Sequence, residues 1–436
     1  MAPGDNRKAD PHKGSQIPEK QLGSIETYFH RIHNELSGGP AVLCISARIA
    51  GPLDIQLVKQ SCRRLWERHP LLRARISVKE NGPYFIFDVP CNRIPIHSVF
   101  ELGKTDIRTF VERETDLAFD STRHLWKVLL ITDKVKLDKH YLIVCTHRSI
   151  SDPLCTVNLA REMIAGCVEI LSGRAADVDL LPVCPNFEEI AASIPESLFS
   201  EKSIDRVGQG KMIGQIPCHE PAPVIRRHTR IRSHTIEPAR LKELQTLCSS
   251  EKATMRGTLA AVTVMALQQQ LKDNPLIEIQ TPCSIRKFGT LEIGEDEIRS
   301  LTYNAHIRPE NITDRASFWK CARDYETALL RSAPDKDRQV SASPVAEDLK
   351  ANPVLPLSCS LLYANEIGPI QGSPFTIENF LFVSGRRSAS QFMFISAMPV
   401  HGSLPVTYAY TSPLLDEVWV DRFIKNFVQI IDKIIK

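Results

Sequence analysis

The sequence predicts an α/β protein built as two lobes, and three observations support that prediction. The chain has 436 residues, which is too long for one ordinary core and suits two lobes of about 200 residues each. Hydrophobic residues make up 43% and charged residues 24%, near the average of globular proteins. Segments with the period of a β-strand alternate with segments whose apolar residues have helical spacing. No internal repeat is visible, which excludes solenoids and propellers.

Composition excludes several functional classes. The net charge of +3 is too small to predict nucleic acid or an anionic membrane as a partner. No apolar run is long enough for a membrane span, and the N-terminus lacks the apolar core of a signal peptide. The 12 cysteines form no CxxC pair, which predicts reduced thiols in a cytoplasmic protein. His30 and His33 have no partner at ligand spacing, so no metal site is predicted.

Changes in composition divide the chain into four parts. Residues 1–23 are polar and contain several Pro and Gly, so they are predicted to be a disordered tail. Residues 24–171 are predicted to form the first lobe. Residues 172–224 are rich in proline and lose periodicity, which indicates a crossover linker. Residues 225–436 are predicted to form the second lobe.

In the first lobe, strands and helices follow one another with clear boundaries. A strand is predicted at 41–49, followed by a helix that Pro70 ends. Apolar residues then alternate from Leu72 to Val78, the period of a half-buried strand. Two further strands are predicted at 84–87 and 126–131.

One short loop of the first lobe is predicted to be held at both ends. The apolar segment 141–145 predicts a strand buried on both faces, and a loop from His147 to Ser151 follows it. Asp152 and Pro153 then form an N-cap and first-turn pair that begins a long helix.

The second lobe shows the same pattern. A long helix is predicted at 254–271 and a last helix at 418–435. Strands are predicted at 229–236, 277–282, 302–307, 358–363, 391–398 and 404–410.

Several segments together resemble one superfamily. They are PLDIQLVKQSCRRLWERHPLLRARI (52–76), TDLAFDSTRHLWKVLLI (115–131), THRSISDP (146–153), IQTPCSIRKFG (279–289) and SLTYNAHIRPE (300–310). In this order they are similar to the superfamily of condensation domains and coenzyme-A-dependent acyltransferases, which carries an HHxxxDG motif. The likeness extends from about Ser24 to the C-terminus.

The resemblance implies an architecture and a chemistry. The fold would be two chloramphenicol-acetyltransferase-like lobes forming a V around a central tunnel, with the HHxxxDG loop near its centre. In the family, the second His takes a proton from the acceptor hydroxyl or amine, which attacks a thioester. The Asp is mainly structural and often pairs with an Arg. The resemblance implies no permanently bound cofactor; the co-substrate is an acyl thioester of coenzyme A or of a carrier protein. The acceptor would be a small-molecule, polyketide-like or terpenoid-like specialised metabolite.

The motif departs from the family pattern at its central position. Arg148 stands where the family has its second His, His147 corresponds to the first His, and Pro153 replaces the Gly. A guanidinium stays protonated below a pH of roughly 12, so Arg148 cannot act as a general base. Losing a positioned base typically costs about 10²–10⁴ in rate. Arg148 can instead donate forked hydrogen bonds to a carbonyl or carboxylate.

Three functions are compatible with this departure. Acyl transfer can persist, with His147 as the base or with an intrinsically nucleophilic acceptor. The tunnel can instead catalyse an intramolecular cyclisation of the Diels–Alder type, with Arg148 polarising a substrate carbonyl and proximity lowering the barrier. Alternatively, Arg148 pairs with Asp152 and the protein is a binding relative without chemistry.

Three further expectations concern named residues. Asp152 is expected to cap the following helix and to accept a hydrogen bond from Arg148 or Arg286. By resemblance, Arg286 corresponds to the second lobe's Arg, which either anchors a loop or binds substrate in the tunnel. Asn304 lies inside a predicted strand, where Asn is disfavoured, and is either an edge residue or a tunnel hydrogen-bond donor.

Overall fold

A computed structural model describes residues 17–35, 41–101, 106–194, 212–271, 275–286, 288–332, 354–364 and 372–436. Within these ranges, a five-stranded and a six-stranded sheet dominate, accompanied by a three-stranded and a two-stranded sheet. The α/β class predicted from the sequence is confirmed. None of the helices in the described ranges is long and apolar enough to cross a membrane.

The first main sheet belongs largely to the N-terminal half and has the order β14-β2-β7-β6-β5. Its strands are β2 (Val42–Ala50), β5 (Ile96–Glu101), β6 (Trp126–Asp133), β7 (Lys139–His147) and β14 (Thr376–Ser384). Only β5 and β6 pair in parallel, and the other pairs are antiparallel.

The second main sheet has the order β11-β10-β13-β15-β16-β9. Its strands are β9 (His228–Ile236), β10 (Glu278–Ser284), β11 (Thr302–Ile307), β13 (Ser358–Tyr363), β15 (Met393–Ala397) and β16 (Leu404–Ser412). The small sheets are formed by β1 (Lys20–Gln21), β3 (Arg75–Lys79) and β4 (Gly82–Ile86), and by β8 (Gln215–Pro217) and β12 (Val354–Pro356).

Helices cover both main sheets. They are α1 (Ser24–Glu35), α2 (Ile55–Arg68), α3 (Ile107–Asp116), α4 (Pro153–Leu171), α5 (Phe187–Ser193), α6 (Pro238–Ser250), α7 (Met255–Gln270), α8 (Arg315–Arg331) and α9 (Glu417–Ile435). In the first half, α2 packs on α4, which contacts β2 and β7. In the second half, α7 contacts both α8 and α9.

Two elements pack on the core of the opposite half. Strand β14, from the C-terminal half, pairs along its length with β2, and its Phe380 and Phe382 join the first core. Helix α1, from the N-terminal half, contributes Ile25 and Phe29 to the second core. Neither exchange was expected from the sequence, and both join the two halves through apolar contacts.

Most element predictions are close to the structure, and two differ for physical reasons. The first two residues of the strand expected at 72–78 belong to a 3-10 helix over Pro70–Arg73, because Pro70 fixes the first turn after α2; the strand begins only at Arg75. Of the tail predicted for residues 1–23, residues 1–16 lie outside the described ranges. Lys20 and Gln21 pair with Phe85 and Tyr84 as β1.

Candidate functional site

The loop between β7 and α4 places the predicted site residues at one end of the first sheet. Strand β7 ends at His147, and α4 begins at Pro153. Asp152 is the N-cap of α4, and its Oδ1 accepts a hydrogen bond from the Cys155 amide at 2.9 Å. The cap and the strand therefore hold both ends of the loop, as the sequence predicts.

The other carboxylate oxygen of Asp152 connects the two halves of the protein. Oδ2 accepts hydrogen bonds from Arg286 Nη1 and from the Leu301 amide, each at 3.0 Å. Asp152 has no exposed surface. Asp152 therefore caps α4 and accepts from Arg286, one of the two partners expected from the sequence, while its mainly structural role stays a prediction.

Arg286 is directed at protein groups. It is 5% exposed, and its Nη2 donates to the carbonyl oxygens of Glu297 at 3.2 Å and Arg299 at 3.3 Å. Burial opposes the charge, but the Asp152 carboxylate raises the pKa of Arg286 above its ordinary value. These contacts favour the loop-anchor interpretation of Arg286 over substrate binding.

His147 is enclosed by its neighbours. It is 0% exposed, and its Nδ1 accepts a hydrogen bond from the Ser149 amide at 3.0 Å, so Nε2 carries the ring proton. Nε2 is buried and has no described partner. The His33 ring lies edge-on, with its centroid 4.5 Å away. Burial, followed by His33 and His30, lowers the pKa of His147 well below its ordinary value. His147 is therefore neutral and closed to a substrate in this arrangement.

Arg148 has the opposite environment. Its amide donates to the Ala41 carbonyl at 2.8 Å, and its guanidinium carbon lies 4.0 Å from the Phe29 ring centroid. The side chain is half-buried, although it lies deep in the protein. No guanidinium nitrogen hydrogen-bonds to a described residue, and the buried Nε is without a partner. Stacking on Phe29 uses the face of the cation and leaves its in-plane N–H donors available.

Arg148 stays cationic in spite of its surroundings. Burial lowers its pKa to about 10, and the nearby Tyr28 and Asp152 partly oppose that shift. Arg148 does not pair with Asp152, whose two oxygens are already occupied. The pairing on which the interpretation of a binding relative without chemistry depended is therefore not formed.

Arg386 is a second buried cation at this end of the sheet, and sequence reasoning missed it. It follows β14, is 4% exposed and donates from Nη1 to Gln391 Oε1 at 3.2 Å and from Nη2 to the Gln391 carbonyl at 2.8 Å. Its Nε is buried without a partner. Burial, and then the positive charge of Arg148, lower the pKa of Arg386 to about 10. The only sequence signal is a pair of arginines in a short polar segment between two apolar strands.

A chain of hydrogen bonds leads from Arg386 along the second sheet. Gln391 Nε2 donates to Gln280, whose own Nε2 donates to Glu278 Oε1 at 3.0 Å. Glu278 also accepts a hydrogen bond from His306 Nδ1 at 3.1 Å. Burial opposes ionisation, but the hydrogen bond from His306 helps to lower the pKa of Glu278 to about 2. The carboxylate is therefore ionised and orients the His306 ring.

Asn304 and His306 share one face of the edge strand β11. Both residues are exposed, and the His306 side chain retains 30% of its surface. The alternate residues Tyr303, Ala305 and Ile307 pack in the second core. The structure thus places Asn304 on an edge strand with its side chain free to meet a ligand. His306 was missed, although its position two residues after Asn304 in a strand predicts the same face.

Among the described residues, no group of three His, Cys, Asp or Glu side chains could hold a metal ion.

Comparison with known proteins supports the resemblance in the motifs. The chain matches no family model. It is 23% identical over 416 residues to one of the subunits of linear gramicidin synthase from Brevibacillus parabrevis, in a match that covers 89% of this chain and 8% of that protein. The chain thus spans less than a tenth of the length of this relative.

Solved structures extend the comparison to the whole fold. The epimerization domain of the third module of tyrocidine synthetase B superposes with a TM-score of 0.71 at 16% identity and 98% coverage of both chains. The protein has the condensation-domain fold. The condensation domain of the Monacolin K polyketide synthase MokA superposes with a TM-score of 0.72 at 11% identity, covering 97% of this chain and 98% of that chain. The predicted fold class is confirmed, and the likeness to condensation domains extends over nearly the whole chain.

The two structural relatives carry different names for their activities, epimerization and condensation. One condensation-domain fold thus supports different reactions, and the reaction has to be argued from the side chains of the site.

Proposed function

We propose that the protein is a biosynthetic enzyme that binds a carbonyl-bearing intermediate beside Arg148 and activates that carbonyl by hydrogen bonding. The observation that carries this proposal is the guanidinium of Arg148, which lies deep in the protein, has accessible surface and donates to no described residue.

The surroundings of Arg148 suit electrophilic activation. A charged donor acts strongly on a carbonyl in a poorly solvated site, because little water competes with it. Removing one such donor typically costs about 2–4 kcal/mol of barrier. The contact with the Phe29 ring, 4.0 Å from the guanidinium carbon to the ring centroid, helps to hold the donor in place before a substrate enters.

An intramolecular ring closure is the reaction that this loop supports best. His147 is neutral and fully buried, so the loop offers no accessible base. A cycloaddition of the Diels–Alder type forms two carbon–carbon bonds within one molecule and moves no proton. Its product is an isomer of the substrate. Hydrogen bonding from Arg148 withdraws electron density from the conjugated carbonyl and so lowers the barrier to ring closure. Confinement of the flexible substrate brings its reacting ends together, which lowers the barrier further.

Acyl transfer is a second candidate because of His306. Its Nδ1 is held at 3.1 Å by the buried Glu278 carboxylate, and the ring is accessible, which leaves Nε2 available to an acceptor. In this candidate, His306 takes the proton of an acceptor hydroxyl or amine as the acceptor attacks a thioester. Arg148 stabilises the oxyanion, and the departing thiolate of coenzyme A or of a carrier arm takes the proton from His306.

Product analysis separates the two candidates. The purified protein is incubated with linear, conjugated carbonyl precursors, with and without acetyl coenzyme A, and products and free thiol are followed. Ring closure gives an isomer of the precursor and no thiol. Acyl transfer gives a heavier product and one thiol per turnover. A protein that gives neither with any precursor would contradict the proposal.

Substitutions at Arg148 test its role within whichever reaction is found. We expect Arg148→Ala to slow turnover about 10²–10³-fold, and Arg148→Lys to slow it less, because Lys keeps the charge and loses the fork. Arg148→His should also slow ring closure, because neutral imidazole lacks the charge. If Arg148→His instead raises thioester-dependent turnover, a base is limiting and electrophilic activation by Arg148 is wrong.

A matched substitution at His306 completes the test. His306→Gln should abolish acyl transfer and leave ring closure within about twofold, because only the first reaction moves a proton.

A further inference from the structure

Two arginines, the half-buried Arg148 and the buried Arg386, lie at the same end of the first sheet on either side of β2. The Arg148 amide donates to the Ala41 carbonyl at 2.8 Å, and the Gly385 amide, next to Arg386, donates to the Val42 carbonyl at 3.0 Å. Strands β7 and β14 both flank β2, so their backbones are roughly 10 Å apart. Two extended arginine side chains span that distance. The guanidinium groups are close enough for the charge of Arg148 to act on Arg386.

Neither of these two arginines has a hydrogen-bonded carboxylate partner among the described residues. Two other buried arginines nearby have carboxylate partners: Arg286 pairs with Asp152 at 3.0 Å, and Arg299 Nη2 pairs with Glu26 at 3.0 Å. Arg148 and Arg386 have no carboxylate within hydrogen-bonding distance in the described part of the chain. The interior therefore holds two adjacent positive charges without a counterion among those residues.

Both arginines also have N–H donors that form no hydrogen bond with a described residue. The Nε atoms of Arg148 and Arg386 are both buried and both lack a partner. The terminal nitrogens of Arg386 reach only the neutral side-chain and backbone oxygens of Gln391. Burying like charges and unsatisfied donors is unfavourable, and an anion that accepts from both groups relieves both penalties.

We infer that Arg148 and Arg386 together form a binding site for an oxyanion, either a carboxylate or a phosphate group of a ligand. The inference rests on the proposed function only in placing the ligand beside Arg148. A guanidinium has two donor edges, so Arg148 can meet the oxyanion with one edge and the reacting carbonyl with the other. The substrate class is then an acid or phosphate ester, and a neutral polyene is excluded.

Ligand binding by the intact protein tests the inference. The probes are octanoate, its neutral analogue methyl octanoate, inorganic phosphate and coenzyme A, and melting temperature and calorimetric Kd are measured at low and high salt. We expect octanoate or phosphate to raise the melting temperature and to bind less tightly at high salt, while methyl octanoate does neither. Stabilisation by octanoate identifies a carboxylate ligand, and stabilisation by phosphate and coenzyme A alone identifies a phosphate ligand.

Substitutions assign the binding to the two arginines. Arg386→Gln and Arg148→Gln should each raise the Kd of the binding anion about tenfold or more, the effect of losing a charge-assisted hydrogen bond. Arg63→Gln removes the same charge from an exposed pair with Glu67 and should leave Kd unchanged. Equal stabilisation by methyl octanoate, or no stabilisation by any anion, would overturn the inference.

The two proposals can fail separately. If Arg148→Ala loses turnover but no anion binds, the oxyanion site is wrong and carbonyl activation stands. If anions bind through both arginines but Arg148→Ala turns over normally, carbonyl activation is wrong and the oxyanion site stands.

Discussion

His147 and Arg148 are consecutive residues with opposite surroundings. Successive side chains at the end of a strand point to opposite faces, so His147 is fully buried while Arg148 keeps some exposed surface. Of the first two motif residues, Arg148 is therefore the one whose side chain can reach a substrate. A His147→Ala change is therefore expected to act through packing and stability, whereas changes at Arg148 act on substrate.

Asp152 makes two stabilising interactions, the cap of α4 and the ion pair with Arg286, and their contributions to stability can be measured separately. Asp152→Ala removes both the cap of α4 and the only described carboxylate partner of Arg286. We expect a loss of about 3–5 kcal/mol in the free energy of unfolding, because a buried charge is left unpaired. The measurement is urea denaturation followed by circular dichroism.

A surface cap provides the control for that experiment. Asp54 caps α2 by accepting from the Leu57 amide at 2.8 Å, on an exposed side chain. Asp54→Ala should cost about 1 kcal/mol, the value of a cap alone. Equal losses in the two variants would show that the pair with Arg286 contributes nothing.

Local sequence signals located part of the site but could not locate the rest. The Asp-Pro pair predicts the start of α4, and the motif spacing singles out Arg148. Arg386 and His306 belong to the site through partners distant in sequence: Arg148 for the first and Glu278 for the second. Residues that meet across such long sequence separations produce no local pattern of apolar and polar residues. A single sequence therefore does not reveal these pairs.

At the scale of elements, β14 is the strand that attaches the C-terminal half to the first sheet. It pairs with β2 from Leu43 to Ala50, and Phe382 lies 6.0 Å from Phe394 of β15 between ring centroids. Phe382 thus contacts the second sheet while its own strand completes the first. The element also sets the position of Arg386, two residues beyond its end.

Phe382→Ala should weaken both halves together. We expect a loss of about 3–5 kcal/mol in the free energy of unfolding, as for other large-to-small changes at fully buried aromatic residues. Hydrogen exchange should become faster in β2 and in β15, because both strands pack on the same ring. Phe100→Ala, at a residue that is 70% exposed, should change stability by less than about 0.5 kcal/mol.

At the scale of the whole molecule, most strands and helices were predictable, but β5, β14, α3 and α8 were not predicted, and neither was the assignment of elements to two cores. Periodicity identifies α9, which buries one regular face, whereas α7 and the strands β15 and β16 are recognised as apolar segments that are buried nearly all round. It cannot indicate which core a face meets. The entry of β14 into the first sheet and of α1 into the second core therefore emerged only from the structure.

Buried histidines are expected to make the stability of the folded protein depend on pH. Burial lowers the pKa of His234 to about 4, and burial also lowers the pKa of His30, His124 and His140. Below about pH 6.5 the unfolded chain takes up protons that the folded protein does not. Stability should therefore fall as the pH drops from about 6.5 towards 4.

A single variant isolates one part of that dependence. His234 stacks on Tyr408 at 5.6 Å and meets Phe427 edge-on, so His234→Phe preserves the aromatic packing and removes the titrating group. The loss of stability between pH 6.5 and 4 should be smaller in this variant, measured by urea denaturation at each pH. His97→Gln, on an exposed part of β5, serves as the control. A variant with the same pH dependence as the wild type would show that His234 does not contribute.

The pairing of β14 with β2 also has a consequence for the order of events during synthesis. The partner of β2 is translated more than three hundred residues after it, and at bacterial or eukaryotic rates of about 5–20 residues per second this takes roughly 15–70 s. During that time the free edge of β2 is open to wrong partners on the ribosome. The nascent first half should therefore bind chaperones until residue 384 has emerged, and release should coincide with that point rather than with completion of the first half.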